Sequence, residues 1–221
     1  MSDIQPGQSF SVFGVPGLPM VAEGDDLAAL VLEAMAASDQ TLEDGDCICL
    51  AHKIVSKAEG QQIALADVSA TPEAEKLAAE TDKDPRLVQL ILDESTEVLR
   101  QKPGVLIMRH KLGLVGAHAG IDQSNIDHEG GEKALLLPVD PDASAARFKA
   151  DVESRTGKKI GVIITDSANR PWRLGTIGIA IGAAGLTVLD DHRGGTDSFG
   201  RELKVTLINR ADAIASMATM V

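Results

Sequence analysis

Hydrophobic and polar positions along this chain alternate between two periods. Short runs rich in β-branched residues predict buried strands at Cys47 to Ala51, Val105 to Met108, Leu135 to Val139, Ile160 to Thr165 and Lys204 to Ile208. Shorter strand-like segments lie at Phe10 to Phe13 and Leu112 to Ala117. Between these runs the apolar residues recur at i, i+3 and i+4. Leu27, Leu30, Val31 and Ala34 follow a capping Asp25 or Asp26. Thr71 with Pro72 and Asp84 with Pro85 are two matched helix starts, a capping side chain and then proline at the first helical position. The second of these helices carries Leu87, Leu90, Ile91 and Glu94 in register and places Asp93, Glu94 and Glu97 near one face, a cluster that suits solvent more often than a metal. A helix from about Ala143 to Thr156 ends at Gly157, and another spans Ala211 to Met220. The expected fold class is α+β (mixed α/β), mixed sheets with flanking helices in a single domain over residues 1–221, which admits two closely packed subdomains.

Composition narrows the function. At 221 residues with 44% hydrophobic content the chain can bury a sizeable core. A net charge of −12 opposes binding to nucleic acid or an anionic membrane. Four Phe, one Trp and no Tyr leave little material for base stacking. Cys47 and Cys49 are expected on opposite faces of their strand, as reduced thiols. The longest weakly polar run, Ile177 to Leu189, falls short of the ~20 residues that a membrane helix needs, so a cytoplasmic protein is expected.

Candidate chemistry collects where apolar runs end. Ile160 to Thr165 gives way abruptly to Asp166 and Ser167, a carboxylate and a hydroxyl at the expected carboxyl end of a strand. Arg170 and Arg173 flank the tryptophan, and a glycine-spaced segment follows, Gly178 to Gly185, in which the backbone can approach another surface, a ligand or a partner. Its glycines follow no capped strand-to-helix turn, so they are not read as a dinucleotide fingerprint. Asp122 stands in a similar position to Asp166, just after an apolar, glycine-containing run. Two such loops can converge on one hard cation, or they can be unrelated Asx turns. Lys57 beside Ser56 suits anionic oxygens, with a solvated lysine at a strand end as the alternative. No Ser-His-Asp or Cys-His arrangement is evident.

The segments V-P-G-L-P, K-I-V-S-K-A-E-G, A-G-I-D-Q-S-N, I-I-T-D-S, R-P-W-R-L-G, A-I-G-A-A-G, D-S-F-G-R-E-L and A-D-A-I-A occur in order from about Phe13 to Met220. As a set they resemble the F420:γ-glutamyl ligase family, enzymes that add γ-linked glutamates to the deazaflavin coenzyme F420. The resemblance implies GTP- and metal-dependent ligation of L-glutamate, through its amine, to the terminal carboxylate of the coenzyme F420 precursor by way of an acyl phosphate. It implies Mg²⁺ or Mn²⁺, two ions, with K⁺ a further candidate, and a homodimer. Carried over by position, Asp122 and Asp166 hold one metal and Ser167 helps to hold a second. Nucleotide contacts come from Pro16, Gly17, Leu18 and Pro19, from Ala51 and His52, from Ser56 or Lys57, and from Asn125. Arg170 and Arg173 are added here as catalytic candidates beside Asp166, because an acidic protein must focus positive charge locally to admit a triphosphate.

Two departures from the family pattern stand out. His118 replaces the usual Asn before A-G-I-D, which leaves open an amino-acid ligase acting on another acceptor. The family pattern continues past the last helix with a glycine-rich loop that contacts the nucleotide, and the sequence given ends at Val221. A truncated chain, an omitted tail and a non-catalytic nucleotide-binding or assembly subunit are the corresponding alternatives.

Overall fold

The computed structural model describes residues 9–169 and 173–221. In chain order its elements are α1 (Leu27–Ala37), β1 (Cys47–Ala51), α2 (His52–Ala58), β2 (Gln62–Ala64), α3 (Pro72–Thr81), α4 (Pro85–Asp93), β3 (Ser95–Lys102), β4 (Val105–His110) and β5 (Val115–Ala117). They continue with β6 (Lys133–Leu135), α5 (Pro141–Thr156), β7 (Gly161–Asn169), β8 (Thr176–Ala184), β9 (Leu189–Asp191), β10 (Leu207–Asn209) and α6 (Arg210–Ala218). The helix starts follow their caps. Asp26, Thr71, Asp84, Asp140 and Asn209 each accept a backbone N–H of the first turn, a contact typically worth about 1 kcal/mol. Gly157 takes the left-handed conformation that ends α5, at φ 71°.

The strands form a mixed α+β architecture of small sheets. β1 runs parallel to β7, and β7 pairs antiparallel with β8. β3, β4 and β5 form an antiparallel sheet, while β2–β6 and β9–β10 are two-stranded. The β1–β7–β8 sheet is covered on one face by α1 and α5, where Val31, Leu50, Phe148, Val152, Val162 and Ile164 are buried together. On its other face Ile163 packs with Ala211 and Ala215 of α6. A separate apolar cluster joins α3 and α4 to β4, with Leu77, Val88, Ile91, Leu106 and Met108 at its centre.

The glycine-spaced segment is β8, and its closeness is to its own chain. A Cβ at Gly182 would meet the Pro141 backbone at 2.5 Å, and one at Gly178 would collide with the Ala215 carbonyl. These glycines therefore seat α5 and α6 on the sheet instead of offering a face to a ligand or a partner.

Several expected boundaries move, each for a physical reason. Phe10 to Phe13 forms no strand, since those residues find no ladder partner among the described residues and both phenylalanines are exposed. Glu97 lies in β3, not on the α4 face, because the helix stops at Asp93. β3 itself went unread since its polar residues are almost all exposed and carry no burial signal. The strand expected over Leu135 to Val139 is Lys133–Leu135, and Pro138 has no N–H with which to continue a ladder. Residues 110–114 close a tight turn, so β5 starts only at Val115. The strand expected over Lys204 to Ile208 is Leu207–Asn209, with Asn209 already capping α6. Cys47 and Cys49 do not point apart. Residues two apart in a strand share a face, and the hydrogen bond to Cys49, together with burial, pushes the Cys47 thiol well above the usual range while both remain free.

Candidate active site

Asp166 is not beyond a strand end. β7 continues through Asn169, and a register shift between Ile164 and Thr165 lies just before Asp166. β1 stops at Ala51, opposite Thr165, so Asp166 occupies the first position where β7 outruns its parallel neighbour. The chain leaves β1 directly into α2, and the first residue of that helix, His52, reaches back into the opening. His52 Nε2 lies 3.4 Å from Asp166 Oδ1, with the imidazole 3% exposed. His52 Nδ1 lies 3.5 Å from Ser56 Oγ, one turn along the helix.

Ser56, His52 and Asp166 thus line up as a hydroxyl, an imidazole and a carboxylate, an arrangement that the sequence conceals because the three come from two distant segments. It is not a nucleophilic triad. Ser56 is fully buried in this structure, where it braces His52, and His52 in turn orients Asp166. Lys57 is the partly exposed member of the Ser56–Lys57 pair. Asp166 and Ser167 are consecutive strand residues and project to opposite faces. Ser167 stands across from Gly178 on the α6 side, whereas Asp166 faces α2.

Asp122 arrives from the other cluster. Ahead of it His118, Ala119 and Gly120 all hold positive φ, at 53°, 54° and 73°. This left-handed run is costly for residues with a Cβ and reverses the chain abruptly out of β5. Asp122 then pairs with Leu135 through two backbone hydrogen bonds, which fixes its Cα. Its Oδ1 accepts the Ser124 N–H at 2.8 Å and its Oδ2 accepts the Ser124 hydroxyl at 3.0 Å. Lys53 Nζ lies 2.6 Å from Asp122 Oδ2 and donates to Ser124 Oγ at 2.8 Å. Burial acts to raise the Asp122 pKa, but the Lys53 ammonium and the two Ser124 hydrogen bonds outweigh it and hold the carboxyl below its usual value. One helical turn further, Lys57 Nζ donates to the Asn125 carbonyl oxygen at 2.7 Å. Asn125 is itself left-handed, at φ 58°.

α2 is therefore the meeting point, with His52 on Asp166 and Lys53 on Asp122. The helix went unread because Ala51 provides no side-chain cap and only seven residues follow. Lys53, the closest cation to either carboxylate in this set, was missed with it. Lys53 and Lys57 at i and i+4 share a helix face, which is the one signal that could have found it.

The remaining sequence candidates sit less centrally. The loop Pro16 to Pro19 is pinned by Val15 and Leu18 against the α1–α5 cluster, with Pro16, Gly17 and Pro19 exposed. Arg173 is exposed and makes no ion pair among the described residues. Arg170 lies outside those residues. The nearby acids are engaged by other groups: Asp190 pairs with Arg210, Asp191 pairs with Arg193, and Asp197 accepts the backbone N–H groups of Phe199 and Arg201. His118 is half-buried. Burial, with Lys83 nearby, pushes its pKa down against the opposing pull of Asp122.

No group of three or more His, Cys, Asp or Glu is placed to hold an ion among the described residues. The donors present, Asp122 and Asp166, fit a hard cation of the Mg²⁺ type, which takes one or two protein carboxylates and completes its shell with water and phosphate oxygens. They do not fit a closed protein cage. No helix among the described residues is long and apolar enough to cross a membrane.

A family model described as F420-0:Gamma-glutamyl ligase matches residues 17–221. The chain is 43% identical over 211 residues to a coenzyme F420:L-glutamate ligase of Methanothermobacter thermautotrophicus, covering 96% of this chain and 82% of that protein. It is 45% identical over 180 residues to the protein of the same name from Methanocaldococcus jannaschii, covering 81% and 71% respectively. Against the Halobacterium salinarum protein of that name the identity is 44% over 215 residues, covering 95% and 80%.

Proposed function

The chain belongs to the F420-0:gamma-glutamyl ligase family, and from that premise we propose that it joins L-glutamate to the terminal carboxylate of a coenzyme F420 precursor at the expense of GTP. The precursor carboxylate attacks the γ-phosphorus and GDP leaves, giving an acyl phosphate. The glutamate amine then attacks the acyl carbon and inorganic phosphate leaves, so that one amide bond forms for each phosphoanhydride broken. A divalent ion, when bound, neutralises charge on the phosphate oxygens in such a transfer.

The observation that carries the reading is the convergence of Asp122 and Asp166, from separate segments, on the first turn of α2. In this reading both carboxylates hold the ion, and His52, braced by Ser56, keeps Asp166 oriented. Lys57 and Arg173 supply positive charge to the nucleotide in a protein of net charge −12. Phosphoryl transfer needs positioning and charge neutralisation more than a nucleophile, and the burial of Ser56 accords with that. The reading takes the chain as one ligase domain and includes a homodimer, for which the β9–β10 arm exposes Leu189, Leu207 and Ile208.

The test is a reaction of purified protein with precursor, glutamate, GTP and Mn²⁺, followed by mass spectrometry. The expected product gains one or more glutamyl residues, and Asp166→Ala lowers kcat/KM by about 10²-fold or more. An unchanged precursor mass, or an Asp166→Ala protein as active as wild type, would sink the proposal.

A further inference from the structure

Lys53 has no part in the reaction as written, yet its ammonium lies 2.6 Å from Asp122 Oδ2, on one of the two carboxylates assigned to the ion. Oδ2 of Asp122 already accepts from the Ser124 hydroxyl at 3.0 Å, and Oδ1 accepts from the Ser124 backbone at 2.8 Å. A carboxylate oxygen offers about two lone-pair sites, so Oδ2 is filled. A divalent ion cannot coordinate it while the ammonium stays, and two cations so close repel each other. Lys57 differs: it sits one turn away on the same helix face but grips a backbone carbonyl, that of Asn125, and competes for no carboxylate. Both members of the Lys53–Asp122 pair are partly open to solvent, at 24% and 37% exposure, which leaves the ammonium room to move.

We propose that Lys53 is the resident counter-cation of Asp122, that it is exchanged for the divalent ion when the site loads, and that the displaced ammonium then turns to the anionic oxygens of the nucleotide. The inference rests on the metal- and nucleotide-dependent reading of this site. Before loading, Lys53 and Lys57 together strap the 122–125 loop to α2. After loading, Lys57 alone keeps the strap while Lys53 changes partner. One side chain thereby makes metal and nucleotide binding mutually favourable, because the ion releases an ammonium that the phosphates can then engage.

The experiment is titration of Mn²⁺, followed by the electron paramagnetic resonance signal of the free ion, into wild type, Lys53→Met, Asp122→Asn and the double variant, with and without GDP. Without GDP, Lys53→Met is expected to bind Mn²⁺ at least fivefold more tightly than wild type, and that gain is expected to vanish in the Asp122→Asn background. GDP should tighten Mn²⁺ binding to wild type by a larger factor than to Lys53→Met. Circular dichroism verifies that each protein is folded, and Lys53→Gln repeats the measurement with a second uncharged side chain. Equal or weaker Mn²⁺ binding by both uncharged variants, or a gain that persists without the Asp122 charge, overturns the exchange. If wild type binds Mn²⁺ and Lys53→Met shows no gain, the exchange falls alone; if wild type binds no Mn²⁺, the metal reading falls with it.

Discussion

Asp166 is carried on a nine-residue strand hydrogen-bonded on both sides for part of its length and sandwiched between helices, whereas Asp122 rides a loop that leaves β5 through three left-handed residues and is tied down by two lysines. The two carboxylates meet the same turn of α2, but different physics holds each in place. Around Asp166, apolar burial on both faces of β7 and the close seating of α5 and α6 leave the backbone little freedom. Around Asp122 the backbone is held at one point, by two hydrogen bonds to Leu135, and the other restraints are backbone strain and two ionic or polar straps at the surface, contacts that respond to salt, pH and ligands. The site thus joins a fixed half to an adjustable half, and ligand-linked movement belongs to the second.

The sharpest way to break this contrast is to spoil the fixed half. In Gly182→Ala the new methyl meets the Pro141 backbone at 2.5 Å, where no flexible side chain can yield. The expected cost is about 1–3 kcal/mol, or a fall in Tm of roughly 2–12 °C for a domain of this size. A change below about 1 °C by calorimetry would show that α5 is not tightly seated and that the fixed half is softer than argued. The complementary change in the adjustable half is Asn125→Gly. Only the backbone oxygen of Asn125 meets Lys57, and glycine accepts its φ of 58° without strain. Stability should stay within about 0.5 kcal/mol of wild type. GDP affinity should weaken by up to about tenfold, the scale of one lost hydrogen bond, if the side chain serves the nucleotide. Calorimetric binding that is unchanged would leave Asn125 a turn residue and nothing more.

Legibility followed burial and capping in both halves, for α3 and α4 belong to the cluster behind Asp122. Periodicity and caps placed α1, α3, α4, α5 and α6 to within a few residues, and the Ile160 to Thr165 run located β7, because burial and capping write themselves into residue type. What escaped notice lacks that imprint. α2 is short and uncapped, β3 is polar and exposed, and the extension of β7 past Thr165 depends on β8 pairing along it, a non-local fact. Asp122 and Asp166 were visible as carboxylates after apolar runs, but their common attachment to α2 was not, since His52 and Lys53 gain meaning only once the fold brings Ser124, 71 positions further along the chain, to Lys53. The separation of Ser167 from Asp166 follows from strand alternation, and it was missed only because the strand was expected to end first.

The smallest expected effect concerns pH and should fall on the adjustable half alone. His110, at the end of β4, is 4% exposed, and its Nδ1 accepts the Leu112 N–H at 2.9 Å in the turn leading to β5. Burial lowers its pKa, with Lys111 acting in the same direction, and Glu94, 3.4 Å from Nε2, opposes both without prevailing. A histidine whose folded pKa lies below its unfolded value of about 6.5 contributes stability that is complete above that pH and is lost as pH falls towards the folded pKa, since the unfolded chain takes the proton first. Acidification from pH 7.5 to 5.5 should therefore loosen β4, and with it β5, whose Ala117 pairs with Ile107 and leads straight into the left-handed turn before Asp122. In hydrogen exchange, amides of β4 and β5 should lose protection over that interval while those of β7 and β8 keep theirs. His110→Gln, whose amide oxygen can accept the Leu112 N–H at any pH, should flatten the change in β4 and β5. Equal loss of protection in both sheets, or a variant as pH-sensitive as wild type, would place the titrating group elsewhere and remove the distinction between the two halves on this axis.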